Sequence, residues 1–392
     1  MKNKGYNKLY NNLKMIKDFR EDSAKTKYPL ADIIFLCIYA LMKGNYTYDE
    51  IHFYLEYNKD SMFLKKILNV KEDRGINIPC RSTLHNILVN INLNDFESVF
   101  REFFASKADK KSIAVDGKFL NGSDIKGHYL ESKHKAILNI LDKDSGIVLG
   151  HSFIGDMKRS EIPAFKEVLD TWEFSKEKQM FSFDAMLTQV EILNKINSDG
   201  NHYIARIKGN QKKLKEKIIQ TEEMLGSPGD VYEDKEYSNE GNKFVKRKTE
   251  LFFNKDTSLA IYSKRFDNIQ TIIKTTKHIT SSKDMGKITH TVEYLISNHR
   301  TSAKQFKEYI LKHWAVETYH YFLDVHTKED AHIAYINPFA MNIARSIVIN
   351  LFKLYFNKHE NTKMKNKRDI TMANLKKLAK LSDEFIEELL SQ

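Results

Sequence analysis

The chain has 392 residues, of which 41% are hydrophobic, and its formal net charge is +11. This length predicts two or three domains with a sizeable core, and the charge favours a polyanionic partner, either nucleic acid or an anionic membrane surface. The two cysteines, Cys37 and Cys80, exclude a disulfide framework and a cysteine-based zinc site, so a reducing cytoplasm is the expected compartment.

A membrane is the weaker of these two partners. The most apolar early run, residues 30–42, is too short to cross a bilayer and contains Asp32. The first residues are polar and lack the charged-then-apolar pattern of a secretory signal. We therefore expect nucleic acid as the partner and no membrane.

Residues 1–108 are predicted to form a small helical domain. Thr47 and Glu50 make a capping-box pattern, and Pro29 suits the first turn of an apolar helix. The predicted helices cover residues 30–41, residues 48–57, a segment that opens at Ser82, and a run from Asp95, as its cap, to Phe104. A helix–turn–helix that binds DNA and a domain packed only for stability are both compatible with this pattern.

Residues 109–356 are predicted to form an α/β domain. Three short β-like runs come first, followed by helix, strand, helix and strand. The predicted strands are residues 111–120, 135–141, 147–154, 179–184 and 202–207, and the helices between the last three are residues 163–172 and 187–197. This order predicts a ribonuclease H-like mixed sheet with flanking helices.

The second half of this domain is predicted to contain an insertion. Residues 215–300 include a break at 227–230 and β-like runs at 249–253 and 291–297, so we expect a β-rich segment there. Helices are expected over residues 306–325 and 341–356. Residues 357–392 are predicted to be a basic tail that ends in a short helix, residues 382–390.

Two aspartates lie near the ends of apolar strands, Asp116 after SIAV and Asp184 after MFSF. Side chains alternate along a strand, so both carboxylates can meet at one edge if the two strands are neighbours. Each residue also has a structural interpretation. Asp116-Gly117 is a favoured hairpin turn, and Asp184 is a suitable N-cap for the helix that follows.

A third carboxylate lies in the predicted helix over residues 306–325. His313, Glu317, His320 and Asp324 follow helical spacing and share one face, beside an apolar stripe made by Ile310, Trp314, Tyr321 and Val325. A solvated polar face is the simple interpretation, but the aromatic surroundings of Glu317 favour partial burial and a cation. Asp324, His326, Glu329, Asp330 and His332 could also form a zinc site, although the HExxH pattern is absent.

Two strand-borne aspartates and one helix-borne glutamate can hold two divalent ions about 4 Å apart, the arrangement that cleaves and joins phosphodiesters. Basic residues lie close in sequence to these carboxylates and can bind phosphates without reading the base sequence. These residues are Lys118, Lys158, Arg159, Lys208, Lys212 and Lys213. The residues together therefore predict an enzyme that acts on DNA.

Several segments also match, in order, the motifs of one family. Asp18-Phe19-Arg20 with residues 28–33 resembles its DFRxxxxxxYPLADI block, and Asp116-Gly117-Lys118 with Gly122-Ser123 resembles DGKxLRGS. The later blocks are Lys158 with Ser160-Glu161-Ile162 (KSNEI), Asp184-Ala185-Met186 with Gln189 (DAMxxQ), Lys208 with Asn210-Gln211 (KxNQ), and residues 313–330 (HWxIEN…LDVxFxED). Over most of its length the chain resembles the DDE transposases of the H-repeat-associated (ISAs-type) insertion sequences.

This resemblance implies a ribonuclease H-like catalytic domain with Asp116, Asp184 and Glu317 as its metal-binding triad. The implied cofactor is Mg²⁺ or Mn²⁺, as two ions, and the implied activity is cleavage and strand transfer of insertion-sequence ends. The implied partners are DNA with terminal inverted repeats, target DNA, and further copies of the chain in a homo-oligomer on that DNA. The expected DNA contacts are Lys118, Lys158, Arg159, Lys208, Gln211, Lys212 and His313.

The chain departs from the family pattern at three single positions and in one block. Asn121 stands where the motif has Arg, Thr318 replaces the Asn after the glutamate, and Leu311 stands where an Arg precedes the His-Trp pair. The family's HGRxE block, expected in the insertion, is present only as Glu240-Gly241-Asn242 followed by basic residues. These departures keep two alternatives open. One is a decayed or repurposed copy that binds DNA without cutting it, and the other is a nuclease that does not join its products.

Overall fold

A computed structural model describes residues 6–20, 26–120, 135–154, 161–172, 177–238, 243–253, 268–281, 288–331, 337–360 and 370–392. Within these ranges the chain forms two compact units. The first contains Met1–Asp109, Gly117–Lys158 and Val316–Gln392, and the second contains Lys110–Asp116 and Arg159–Ala315. Each unit is therefore built from segments that are distant in sequence. The predicted boundaries at residues 108 and 356 stay a prediction.

The helices of the described residues are α1 (Tyr6–Leu13), α2 (Leu30–Met42), α3 (Tyr48–Tyr57), α4 (Met62–Leu68), α5 (Arg81–Asn90), α6 (Leu93–Ala105), α7 (Glu161–Thr171), α8 (Val190–Ser198), α9 (Lys212–Leu225), α10 (Ala303–Lys312), α11 (Ala315–Thr327), α12 (Phe339–His359), α13 (Met372–Leu381) and α14 (Asp383–Leu390). The strands are β1 (Ser112–Phe119), β2 (Ala136–Asp142), β3 (Ile147–Ile154), β4 (Met180–Phe183), β5 (His202–Ile207), β6 (Asp230–Ser238), β7 (Lys243–Phe252), β8 (Thr271–Ser281) and β9 (Ile288–Ser297).

Helix α12 is the central element of the first unit. Its residues from Phe339 to Phe352 are all buried, and it packs against α2, α6 and β3. By length and composition alone α12 could also cross a membrane, but 78% of its most apolar window is buried, which is typical of the core helix of a globular unit.

The predicted N-terminal helices are present in the first unit. Helix α2 begins directly after Pro29, and α3 begins with the reciprocal Thr47–Glu50 capping box. Helix α6 differs in detail because Asn92, rather than Asp95, is its cap: the Asn92 side chain accepts hydrogen bonds from the backbone N–H groups of Asn94 and Asp95. Capping motifs act locally, so the sequence reveals most helix starts.

A buried polar chain links four elements of the first unit. The Glu97 carboxylate on α6 accepts a 2.6 Å hydrogen bond from the backbone N–H of His151 on β3 and lies 2.8 Å from its Nδ1. His151 Nε2 lies 3.1 Å from the Ser346 hydroxyl on α12, which lies 2.6 Å from the Tyr319 hydroxyl on α11. The order resembles a Ser-His-Glu triad, but all of these side chains are buried. We interpret it as a structural network.

The second unit contains a mixed sheet with strand order β1-β4-β5-β9-β8-β7-β6. Strands β1, β4 and β5 are parallel, whereas β5 to β6 continue as antiparallel pairs. Strand β4 is buried along its whole length, as expected for a parallel strand covered on both faces. The predicted α/β fold with a mixed sheet is confirmed, and its ribonuclease H-like character stays a prediction.

The described residues of the predicted β-rich insertion contain four strands, preceded by a helix that was not expected. Strands β6 to β9 form a four-stranded antiparallel segment, and α10 packs on β6 and β7. Residues 212–225, however, form helix α9, which reaches into the segment that we expected to be β-rich. Leu214 and Ile218 are its buried residues, one helical turn apart, and the many lysines around them made this short apolar stripe hard to recognise.

The predicted continuous helix over residues 306–325 is wrong. Helix α10 ends at Lys312, and α11 begins at Ala315 after a tight turn in which the Trp314 N–H donates to the Leu311 carbonyl. His313 therefore does not share a helix face with Glu317. The predicted apolar stripe also fails, because Trp314 and Tyr321 are more than half exposed. A further helix, α13, lies in the predicted basic tail.

Two histidines, His202 at the start of β5 and His299 just after β9, predict that acid destabilises the fold. The rings of His202 and His299 are 4.2 Å apart, and burial, together with the charges of His299 and Lys178, lowers the pKa of His202 to about 4. In the unfolded chain His202 takes up a proton near pH 6.5, whereas in the folded chain it stays neutral until about pH 4. The free energy of unfolding is therefore unaffected by His202 above pH 6.5 and decreases as the pH is lowered from 6.5 towards 4.

We expect the urea concentration at the unfolding midpoint to decrease as the pH is lowered from 6.5 to 4.5. This decrease should be smaller in His202→Gln. The measurement is urea unfolding followed by circular dichroism at a series of pH values. His85→Gln, at a partly exposed histidine on α5, is the control and should keep the parent profile. An identical pH dependence in parent and His202→Gln would refute this assignment.

Candidate active site

Asp116 and Asp184 occupy matching positions along two neighbouring parallel strands of the second unit. Val115 on β1 pairs with Phe183, the last residue of β4; Asp116 is the next residue of β1, and Asp184 directly follows β4. Adjacent strands are about 4.8 Å apart, so the two carboxylates start from neighbouring points at one edge of the sheet. Strand β1 continues through Gly117 to Phe119, so the hairpin-turn interpretation of Asp116-Gly117 is wrong.

Asp184 has a strongly cationic environment. The Lys208 ammonium group donates a 2.8 Å hydrogen bond to Asp184 Oδ2, and Arg206 Nη1 lies 3.8 Å from Oδ1. Burial raises the pKa of Asp184, but the hydrogen bond from Lys208 and the positive charges outweigh it, so the pKa lies below its usual value. Asp184 precedes the 3₁₀ turn Ala185–Leu187 without capping it through its side chain, so the N-cap interpretation is also wrong.

Two further polar groups lie near Asp184. Glu161, the first residue of α7, has a raised pKa, mainly because of burial and additionally because of the negative charge of Asp184. Ser182 shares a face of β4 with Asp184, and its hydroxyl lies 2.9 Å from Nδ1 of His313. The sequence had singled out neither Glu161 nor Ser182 as a site residue, although the alternation along β4 already placed Ser182 beside Asp184.

The donor set at this edge fits a hard divalent cation. Carboxylate oxygens are the protein ligands that Mg²⁺ and Mn²⁺ prefer. Asp184 Oδ1 is buried and has no hydrogen-bond partner among the described residues. The Arg206 guanidinium lies 3.8 Å from this oxygen, beyond hydrogen-bond distance, so a cation in direct contact would stabilise it further. This oxygen therefore fits the role of a metal ligand.

Glu317 lies in the first unit, in the first turn of α11, where its side chain is exposed, so the partial burial expected from its aromatic neighbours is wrong. A negative charge at a helix N-terminus is favourable because the backbone N–H groups there lack intrahelical partners. One turn later, His320 Nε2 lies 3.0 Å from Nδ2 of Asn139, and burial lowers the pKa of His320 to about 3. His320 is therefore neutral at physiological pH.

The residues predicted to contact DNA lie in different environments. Lys208 is half exposed but contacts Asp184, and His313 contacts Ser182. The Gln211 amide donates to the Thr188 carbonyl, and Lys212 is exposed at the start of α9. Lys118 is buried in the first unit. Lys158 and Arg159 lie outside the described residues.

A cavity of about 490 Å³ opens in the second unit between the antiparallel strands and α10. Four cationic side chains line it together with threonine hydroxyls: Arg206, Arg247, Lys277 and Lys307. Arg206 lies 3.7 Å from Glu293 and also contacts Asp184, so the cavity is continuous with the surroundings of that carboxylate. Arg247 and Lys307 are also paired with Glu236 and Asp234, so carboxylates offset part of this positive charge.

Comparison with known proteins gives two family matches. Residues 107–335 match the family described as "Transposase DDE domain", and residues 10–104 match the family described as "DDE_Tnp_1-associated". "Putative transposase YncI" of Escherichia coli O157:H7 is 28% identical over 331 residues, which cover 82% of this chain and 81% of that protein.

Two further similarities were found. "H repeat-associated putative transposase YhhI" of Escherichia coli (strain K12) is 26% identical over 334 residues, which cover 82% of this chain and 84% of that protein. A cryo-EM structure of the piggyBac transposase synaptic complex with hairpin DNA matches at 12% identity and a TM-score of 0.47, covering 99% of this chain and 81% of that one.

Proposed function

Because the chain belongs to the transposase DDE domain family, alongside the H-repeat-associated transposases, we propose that it cleaves the ends of an insertion sequence and joins them to target DNA in a metal-dependent reaction. The observation that carries this proposal is the placement of Asp116 on β1 and of Asp184 directly after the neighbouring parallel strand β4, with a buried Asp184 oxygen that accepts no hydrogen bond from the described residues.

In this proposal Asp116, Asp184 and Glu317 hold the divalent cations, Mg²⁺ or Mn²⁺. Two such ions, when bound, activate the attacking oxygen and stabilise the leaving oxygen of an in-line phosphoryl displacement. The third ligand, Glu317, is carried over from the family motif at residues 313–317. All three are carboxylates, so the proposed site offers only hard oxygen ligands.

Residues around Asp184 would bind and orient the DNA backbone. Lys208 can exchange its contact with Asp184 for a phosphate oxygen, because its ammonium is half exposed and its side chain is flexible. His313 is held by Ser182 on the strand face that carries Asp184, so it can donate to a phosphate from a fixed position. Arg247, Lys277 and Lys307 add positive charge along the neighbouring cavity.

The partners follow from this chemistry. The net charge of +11 favours contact with the DNA backbone, which supplies affinity without sequence information. We propose double-stranded DNA with terminal inverted repeats as the substrate and a second DNA segment as the target. Joining both ends of one element calls for a copy of the chain at each end, so we also propose a homo-oligomer on DNA.

The test is incubation of purified protein with a labelled DNA fragment that carries the inverted repeats flanking its gene, together with plasmid target DNA. We expect strand cleavage at the repeat ends with Mg²⁺ or Mn²⁺, joined products on the plasmid, and neither with EDTA. Fragments without the repeats are the control. Cleavage without joined products would identify a nuclease of the same fold.

The principal alternative is a copy that binds the repeats and does not cut them, which the replaced residues Asn121, Thr318 and Leu311 suggest. Binding in a gel-shift assay, without cleavage in either metal, would favour this alternative. Any metal-dependent cleavage that is specific for the repeats would eliminate it.

A further inference from the structure

Lys118 has an unusual position for a residue predicted to contact DNA. Its side chain is 7% exposed, and its ammonium lies 2.9 Å from Asp324 Oδ1 and 3.3 Å from Asp330 Oδ1. A third carboxylate, that of Glu329, lies 3.9 Å away and is itself 3% exposed. All of these residues belong to the first unit. The ammonium is therefore enclosed by carboxylates within the protein.

The three carboxylates form a tight group, with oxygens that lie within 4.8 Å of one another. Such a group is unfavourable unless cations offset the mutual repulsion. Lys118 supplies one cation, and Arg345, 3.9 Å from Glu329, supplies a second that is fully enclosed. Asn342 adds a 2.6 Å hydrogen bond to Glu329. The same three carboxylates, together with His326 and His332, were considered as a zinc site in the sequence analysis. His332 lies outside the described residues.

The environment of Lys118 offsets its positive charge. Asp324, Asp330 and Glu329 each place a carboxylate oxygen within 3.9 Å of the ammonium. An ammonium group removed from water in this way needs its partners, and removing one side of such a pair leaves the other charged and unpaired. A phosphate contact would require Lys118 to leave three carboxylates.

We propose that Lys118 is a positioning residue that anchors α11, and with it Glu317, to the last residues of β1. Asp324 lies seven residues after Glu317, which is about two helical turns, so the Lys118–Asp324 contact fixes the face of α11 that carries Glu317. The proposal rests on the proposed function for the role of Glu317. The anchoring itself does not depend on catalysis.

The experiment compares Lys118→Met with Lys212→Met, which alters an exposed lysine that was also predicted to contact DNA. Hydrogen exchange of the metal-free protein, without DNA, is measured by mass spectrometry for peptides covering residues 315–327. We expect exchange there to rise about tenfold or more in Lys118→Met and to stay at the parent rate in Lys212→Met, because only the first variant releases the helix.

The second readout is DNA affinity in EDTA at several salt concentrations. Loss of a phosphate contact lowers the slope of log affinity against log salt by about 1. We expect this change in Lys212→Met and not in Lys118→Met. The third readout is the Mn²⁺ concentration that gives half-maximal cleavage. It should rise about 10- to 100-fold in Lys118→Met, because Glu317 loses the contact that orients it as a metal ligand.

A lowered salt slope with unchanged exchange in residues 315–327 would overturn the proposal and restore Lys118 as a DNA contact. If Lys118→Met does not fold, Asp330→Asn removes one of the three contacts and should raise exchange in α11 by a smaller factor; parent exchange in that variant would also overturn the proposal. Because exchange is measured without metal or DNA, its result stands even if the protein cleaves nothing.

Discussion

Replacing Asp184 by alanine is expected to lower metal-dependent cleavage of the repeat-bearing DNA on the order of a thousandfold, equivalent to about 4 kcal/mol of transition-state stabilisation. The variant removes a carboxylate with a buried oxygen that accepts no hydrogen bond within the described part of the chain, and with it one of the two acids at this edge of the sheet. DNA affinity should stay at the parent level or rise, because Lys208 and Arg206 then lose an acidic partner and become available to phosphates.

The measurement is single-turnover cleavage in Mn²⁺, together with DNA affinity in EDTA. Asp170→Ala is the matched control, because Asp170 lies on α7 of the same unit with a 68% exposed side chain. It should cleave like the parent. Cleavage by Asp184→Ala at the parent rate would show that Asp184 does not belong to the active site. Loss of both cleavage and DNA binding would indicate a folding defect, which a thermal melting curve of the variant would reveal.

Replacing Glu97 by leucine is expected to destabilise the first unit by about 3–5 kcal/mol. The Glu97 carboxylate accepts hydrogen bonds from Arg101 Nε at 2.9 Å and from the backbone N–H of His151 at 2.6 Å, and it also contacts the His151 ring. Leucine fills a similar volume but leaves the buried His151 N–H and ring without their acceptor, where each unsatisfied donor costs about 1–3 kcal/mol; Arg101, 32% exposed, can turn to water.

Chemical denaturation followed by circular dichroism checks this prediction, with Glu102→Leu as the control. Glu102 lies on the same helix, α6, but is exposed, so its replacement should change stability by less than about 0.5 kcal/mol. The loss in Glu97→Leu is a large fraction of the 5–15 kcal/mol typical of a folded protein. Equal unfolding midpoints in the two variants would show that the buried polar chain contributes little.

Local patterns predicted most of the regular structure. The capping box at Thr47 and the proline before Leu30 marked two helix starts correctly, because capping depends on residues within one turn. The strands β1, β2, β3 and β5 were also found from their apolar runs. The alternation along β1 and β4 placed Asp116 and Asp184 on comparable faces, and the pairing of those strands then made them neighbours.

The errors arose where distant residues decide the outcome. Residues 306–325 have uniform helical spacing, yet the chain turns between Lys312 and Ala315, and nothing in the spacing marks this break. Helices α9 and α13 were missed because their apolar stripes are short and surrounded by lysines. Lys118 was expected at a DNA phosphate because a lysine beside a catalytic motif is ordinarily solvated.

The sequence by itself determined the secondary structure of the parallel strands, the caps of the main helices, the positive charge and the identity of the three acidic candidates, because these depend on residue type and on spacing over a few positions. The tertiary structure alone decided that β1 and β4 are neighbours, that Lys118 is enclosed by Asp324, Glu329 and Asp330, and that Lys208 contacts Asp184. Those contacts join residues up to 212 positions apart, and the electrostatic cost of burying a charge depends on which partners the folded chain brings to it.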